Sequence, residues 1–337
     1  MKEKNIYWQS IRGICILAVI MIHCPTGQEY SLGTYNTWII LRQIINFPVA
    51  IFIFLAGYFV NTEKIEESSK RYLMNRGGRL LVPYLIWSSV YILKNILFSG
   101  ITIKTIIYEL LLGKAVAPFY YIIVLIQLTI ITPWLVKYRK CYMYLITPLY
   151  LVIIYYYNMK NGNTPMFYET LFPAWFSFYM LGLDCKKMET CQLVTKEINL
   201  RWIIITLFIS VVEAFALLKI GCSDSFASSQ IKISSYLYVV AIIFMLLKYQ
   251  KKKSSGSNVE KILVLIGNYS YGIFFVHMLV LFVVEHVLRV MKIHSNWIIY
   301  FVMCFAFTAI GSIGIIKVTR KITFKLHIEK VLYLLGF

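Results

Sequence analysis

Apolar runs of close to twenty residues recur from one end of this chain to the other, and no other feature limits its fold so tightly. A helix rises about 1.5 Å per residue, so some 20 apolar residues match a hydrocarbon layer about 30 Å thick. Runs of this kind lie near Ile6–Cys24, Trp38–Val60, Leu80–Phe98, Pro118–Val136 and Tyr142–Tyr157. Five more lie near Leu171–Leu183, Trp202–Leu218, Ile233–Leu247, Ile262–Val284 and Trp297–Ile316. The 59% apolar composition and mean hydropathy of +0.70 agree with repeated bilayer crossings. The expectation is an all-α polytopic membrane bundle of about ten transmembrane helices. No stretch is polar or long enough for a separate soluble domain. The 337 residues therefore read as a single transmembrane domain whose last ~15 residues form a cytoplasmic tail.

The net charge of +19 invites a nucleic-acid reading, which its distribution argues against. With the N-terminus inside, the inner segments collect Lys2 and Lys4, then Lys64, Lys70, Arg71, Arg76 and Arg79. They continue with Lys137, Arg139 and Lys140, Lys186, Lys187, Lys196 and Arg201, and the Lys248–Lys261 and Lys317–Lys330 groups. The outer segments hold only Lys104, Lys114, Lys160, Lys219, Lys232, Arg289 and Lys292. This bias follows the positive-inside rule, and an odd span count would spoil it in the later half. Both termini are thus expected in the cytoplasm. Lys251–Lys253, in the longest polar linker (Lys251–Asn258), could touch anionic lipid.

Seven cysteines occur without a CxxC pair, with Cys15, Cys24, Cys141 and Cys304 in or beside spans. They read as small core hydrophobes rather than disulfides or metal ligands, and no metal is expected. The first span lacks a small-x-small cleavage site and is read as retained rather than as a signal peptide. Short turns are marked by Gly27, Gly33 and Asn36, and by Asn161-Gly162-Asn163 with Pro165. No internal repeat is visible, which disfavours repeat-built transporters.

Within these spans a few polar groups stand out. His23 stands eleven positions after Arg12, a register that returns a helix to within roughly 20° of its starting face and about 16 Å along its axis. Ionisable groups inside a membrane usually face a bundle interior or a wet cavity. The pair reads either as an interfacial anchor with a solvated helix-end histidine, or as a cation and a proton-transfer group placed for catalysis. Ala50–Phe59 is an aromatic run ending in the small pair Ala56-Gly57, whose bland explanation is helix packing. Arg76-Gly77-Gly78-Arg79-Leu80-Leu81-Val82-Pro83-Tyr84 places two arginines and flexible glycines at an expected helix start. That would suit a phosphate, although positive-inside flanking explains the arginines equally well. Gly267–His277 carries Asn268, Ser270 and His277 into a span, where unpaired polar groups are costly; a packing histidine bonded to a carbonyl is the alternative. Arg42 lies about a turn inside its span, and Glu213 calls for a partner that Lys219, six residues on, is badly spaced to supply. Glu285, His286 and His294 cluster near an outer helix end with no metal-ligand spacing and read as solvated.

Together these segments resemble the membrane-bound acyltransferase-3 family. Its first helix carries Arg-x10-His, matched by Arg12 and His23. Its second closes an aromatic stretch in Ser-Gly-Tyr or Ser-Gly-Phe; Phe52–Tyr58 matches, with Ala56 in place of the serine. Arg76–Tyr84 fits Arg-x-x-Arg-Leu-x-x-Pro-Tyr at the third helix, and Gly267–His277 fits Gly-x-x-Ser-Tyr-x-x-Phe-x-x-His. Many members carry His-Leu-Trp-Phe-Leu before the fourth helix, where this chain has Phe119-Tyr120-Tyr121.

The resemblance spans about Asn5 to Lys321 and implies a stand-alone O-acetyltransferase, without the extracellular hydrolase-like domain of some members. It implies acetyl-CoA as the cytoplasmic co-substrate and a cell-surface or lipid-linked glycan hydroxyl as acceptor. No bound cofactor and no nucleic acid are implied. The setting would be a bacterial plasma membrane, with lipids as neighbours and the oligomeric state open. His23 would then be general base or covalent carrier, and His277 an orienting or proton-relaying partner. Arg12, Arg76 and Arg79 would bind the donor phosphates. Arg42, Tyr58, Tyr120, Glu213 and Ser270 would line the acceptor side. A secondary transporter or exporter, with the same ionisable groups marking a solute path, is the competing function.

Overall fold

The computed structural model describes residues 6–26, 30–100, 102–185, 197–250 and 256–337. Lys2, Lys4, Gly27, Lys186, Lys187, Lys196 and Lys251–Lys253 lie outside the described residues. Among those described there is no strand. The helices are α1 (Ile6–His23), α2 (Leu32–Ile44), α3 (Pro48–Tyr58), α4 (Thr62–Glu67) and α5 (Ser69–Ser99). There follow α6 (Ile103–Leu112), α7 (Tyr120–Tyr138), α8 (Ile146–Asn161), α9 (Phe176–Cys185) and α10 (Leu200–Lys219). Last come α11 (Asp224–Ala227), α12 (Ile233–Tyr249), α13 (Asn258–Val290), α14 (Trp297–Lys325) and α15 (Lys330–Leu335).

Each of the expected spans coincides with helix, and their lengths sort them. Among the described residues seven stretches are long and apolar enough to cross a bilayer: α1, α2 with α3, α5, the Ala117–Tyr138 stretch, α10, α13 and α14. The other three, α8, α9 and α12, have 16, 10 and 17 residues. At about 1.5 Å per residue α9 covers only ~15 Å, half a hydrocarbon layer. The span expected over Trp38–Val60 is broken after Ile44, where Pro48 opens α3. Proline suits the first turn of a helix and pushes the residue before it out of helical conformation.

The third span differs most from expectation. α5 begins at Ser69, capped by the Ser68 hydroxyl, which accepts from the Arg71 amide at 3.3 Å. It runs unbroken through Gly77-Gly78 and Pro83 to Gly100, whose φ of 60° closes it. Arg76 and Arg79 therefore lie two to three turns inside a helix rather than at its start. The capped first turns and the packed apolar remainder outweigh the helix cost of two glycines, about 1 kcal/mol each.

The chain divides into two compact units, one of residues 1–48 with 246–337, the other of residues 49–245. In the first, α1 packs along α13, and α14 flanks α13. The α1–α13 contact is made by backbone. A Cβ at Gly13 would fall 2.2 Å from the Leu263 carbonyl oxygen, and one at Gly267 would fall 1.9 Å from that of Gln9. In the second unit the same device joins α3 to α9. A Cβ at Gly57 would meet the Tyr179 oxygen at 2.3 Å, and one at Gly182 the Phe54 oxygen at 2.1 Å. Small residues let membrane helices approach this closely, so the packing explanation of Ala56-Gly57 is the one the fold bears out. Polar ties lock the rest of the second unit. The Gln127 amide donates to the Thr170 carbonyl (3.0 Å) and accepts from the Phe172 amide (2.9 Å). Arg139 pairs with Asp184 at 2.5 Å, and Thr132 and Tyr179 share a hydroxyl contact of 2.6 Å.

Among the described residues Cys15, Cys24, Cys141, Cys222 and Cys304 form no disulfide. Cys15, Cys24, Cys222 and Cys304 are buried as small hydrophobes, but Cys141 is exposed. It opens a 3-10 turn between α7 and α8, outside any packed face.

Candidate functional site

The site is built where α1 ends against the middle of α13. Because α1 is continuous from Ile6 to His23, Arg12 and His23 do share one helix, with His23 its last residue. The glycine contact at Gly13 and Gly267 holds α1 against α13. Ten residues beyond Gly267, the His277 ring comes to 5.6 Å from that of His23, centroid to centroid, with the planes tilted by 45°. His277 is fully buried. Its Nδ1 lies 3.0 Å from the Ile273 carbonyl oxygen and 2.9 Å from that of Phe274. A ring nitrogen set against two acceptors carries the proton, which leaves Nε2 as the nitrogen with a free lone pair. That Nε2 is buried and has no hydrogen-bond partner among the described residues. Buried polar atoms are rarely left so, because the desolvation cost is not recovered. The carbonyl-bonded histidine anticipated as a packing residue is thus half the description; the other half is a basic nitrogen kept vacant beside His23.

Arg42 joins the pair from the last turn of α2. Its Nη1 donates to the Ile22 carbonyl at 3.4 Å, one residue from His23. The carbonyls at the C-terminal end of α1 lack helical partners and are met here by a cation, the favoured arrangement. The ionisable groups acting electrostatically on His23 are His277 and Arg42. An apolar cluster of Ala18, Ile22 and Ile45, with Met21, Leu41 and Phe47 around it, seals the same junction. Ser270 is buried on α13 two turns before His277 and so shares its face. Arg12 is half-buried about 16 Å along α1 from His23, beside Cys15.

The remaining expected residues belong to the second unit. Arg76 is half-buried, and its Nη2 donates to the Ala56 carbonyl at 2.8 Å in the last turn of α3. Its guanidinium lies 5.9 Å from the Tyr72 ring centre, and Tyr179 and Tyr121 are further neighbours. Arg79, one turn on, is exposed. Tyr58 packs against Phe54 and Phe59, and Tyr120 stacks on Trp175 with ring centres 6.2 Å apart.

Glu213 finds the partner its sequence neighbours could not supply. The Tyr155 and Ser234 hydroxyls both donate to it, and the Lys232 ammonium stands 4.0 Å away. Lys232, expected as an outer-loop cation, is fully buried and also donates to the Ser210 carbonyl at 3.4 Å. Burial holds its pKa down, to about 8, against the opposing pull of Glu213. Nothing in the spacing of Glu213 and Lys232 announces this pair, since Glu213 lies on α10 and Lys232 just before α12, with α11 between them.

The family model described as an acyltransferase domain matches residues 5–317, nearly the whole chain. The chain belongs to the acyltransferase-3 family. Neither a curated protein nor a solved structure matches it. The match covers His23, His277, Arg12, Arg42, Arg76 and Arg79, and with the long apolar helices it makes the protein a multi-pass membrane acyltransferase. The geometry accounts for the places where this acyltransferase departs from the family pattern. Ala56 stands where serine is usual, and Arg76 reaches its backbone oxygen, a contact indifferent to the side chain. Phe119 is fully buried between Tyr84 and Tyr91, so the Phe119-Tyr120-Tyr121 segment opens on an aromatic wedge.

Proposed function

We propose that this acyltransferase moves an acetyl group from cytoplasmic acetyl-CoA to a hydroxyl of a cell-surface or lipid-linked glycan. It would work as one domain in a bacterial plasma membrane, with both termini in the cytoplasm. The observation that carries the reading is the His23–His277 pair, two imidazoles 5.6 Å apart in a membrane protein of acyltransferase type.

O-acylation needs a base for a hydroxyl whose own pKa lies far above 7, and histidine has the intrinsic pKa for it. His23 takes the proton from the acceptor hydroxyl as its oxygen attacks the thioester carbonyl. The tetrahedral intermediate then collapses, the C–S bond breaks, and the coenzyme A thiolate leaves and recovers the proton from the imidazolium. His277, its Nδ1 proton held by two carbonyls, offers Nε2 as a second station for that proton. A covalent variant, with the acetyl group first on His23, uses the same atoms in two steps. Arg12, Arg76 and Arg79 are assigned to the donor phosphates, Arg76 from a position in which it donates to the Ala56 carbonyl. Arg42, Tyr58, Tyr120, Glu213 and Ser270 are assigned to the acceptor side or the lining of the site.

The test is acetyl transfer in proteoliposomes supplied with radiolabelled acetyl-CoA and de-O-acetylated surface glycan of the source cells. His23→Gln keeps size and polarity but cannot titrate, and it should lower the rate 10²–10⁴-fold, as loss of a general base does. Near-normal acetylation by that variant would make His23 structural and shift the base to His277.

A further inference from the structure

A cavity of about 410 Å³ lies within the first unit, beginning two residues past His23. It is lined by Pro25, Thr26, Tyr30, Glu285, Arg289, His294 and Tyr300. Its size falls within the range of small-molecule sites, about 300–1,000 Å³. The framework around it is braced. The Trp297 indole donates to the Pro25 carbonyl at 3.1 Å, which ties the segment after α1 to the start of α14. Tyr300, almost fully buried, accepts from Arg289 Nε at 3.4 Å. Glu285 acts electrostatically on Cys24, the residue directly after His23, so the cavity and the histidine pair adjoin along one stretch of chain.

The lining has a definite chemistry. Glu285 and Arg289 stand four residues apart on α13, and their formal charges cancel. A carboxylate accepts from two hydroxyls and a guanidinium donates to two oxygens, so together they match a vicinal diol. Tyr30 and Tyr300 add ring faces and hydroxyls, and Thr26 and His294 add further polar groups. With those two charges cancelling, the lining offers no net charge to draw an anion or a cation, which suits a neutral polyol. We propose that this cavity binds a neutral sugar ring of the acceptor, with Glu285 and Arg289 holding adjacent hydroxyls. The assignment rests on the acyl-transfer reading above for its purpose, though not for its chemistry.

Binding is measured by calorimetry on the full-length protein in nanodiscs without acetyl-CoA, so the cavity reports whether or not transfer occurs. The probes are neutral hexose oligosaccharides, the matching uronic-acid oligosaccharides and inorganic phosphate. A neutral oligosaccharide should bind saturably to the wild type. Glu285→Gln should raise its Kd by one to two decades, as expected for about one lost charge-assisted contact, with the melting temperature unchanged. Should Glu285→Gln fail to fold, Tyr30→Phe removes a single hydroxyl and should weaken binding severalfold. Preference for the uronic-acid probes or phosphate, undiminished binding by the folded variants, or no saturable binding of any neutral probe would each overturn the proposal. Failure of the acyl-transfer reading shows separately, as wild-type proteoliposomes whose protein binds the oligosaccharide but transfers no acetyl group from acetyl-CoA to it.

Discussion

Two arginines three residues apart have different surroundings in α5, and this separates their roles. Arg76 caps the carbonyl end of α3 through Ala56 and lies among Tyr72, Tyr121 and Tyr179, so Arg76→Ala should lower stability as well as activity. Arg79 is exposed, and Arg79→Ala should leave the melting temperature unchanged while raising the KM for acetyl-CoA by about one to two decades. Steady-state kinetics beside thermal melts checks both, and a change confined to the acceptor KM would remove Arg79 from the donor site. Lys232 supplies a pH signature. Its pKa is held near 8 in the fold against about 10.4 in the unfolded chain, so between those values the unfolded state binds more protons. Stability should therefore rise with pH from about 8 to 10.4 through this group, and below pH 8 its cost should be constant. Melting curves of wild type and Lys232→Met across that window should differ in slope, and parallel curves would show that Lys232 titrates normally. Residue by residue, His23, His277 and Glu213 were legible because ionisable groups in apolar runs demand a reason. Their partners were not: His277 lies over 250 residues from His23, and spacing on one helix says nothing about contacts at that range.

Among the elements, every apolar run became helix, because a run of that length in lipid has few other ways to satisfy its backbone. Boundaries were harder to read. Gly77-Gly78 and Pro83 look like punctuation, yet α5 passes through all of them. Glycine signals either a turn or a close contact, and only the neighbouring helix decides which. Gly77 has nothing within 4 Å of where a Cβ would stand, whereas Gly267 has a backbone oxygen at 1.9 Å. One chemical change should then act in opposite directions. Gly77→Ala should stabilise α5 by up to about 1 kcal/mol through helix propensity. Gly267→Ala must push α1 off α13, costing about 1–3 kcal/mol or more and separating His23 from His277. Melting in detergent with a transfer assay on the same preparations tests the contrast, and a Gly267→Ala protein with full activity would refute the close-packed geometry.

At the scale of the whole molecule, lysine and arginine asymmetry predicts sidedness. In a background without reactive native thiols, cysteine at exposed Ser257 should label only from the cytoplasmic face, and cysteine at exposed Asn163 only from outside. Labelling of both from the same side of intact cells would overturn that topology, which also bears on whether the shorter α8, α9 and α12 count as crossings. The glycine contact between α1 and α13 has a further consequence, in time rather than in space. Gly13 is made at the beginning of synthesis and Gly267 roughly 250 residues later, a delay of about 10–50 s at 5–20 residues per second. Throughout that interval the first helix waits without the partner that meets its backbone, and His23 without the His277 ring that comes to lie 5.6 Å from it. A nascent chain stalled anywhere before α13 would therefore hold only one of the two histidines, and on the proposed mechanism it should not acylate. Such a chain would also expose the small-residue face of α1 to any other helix able to approach it as closely.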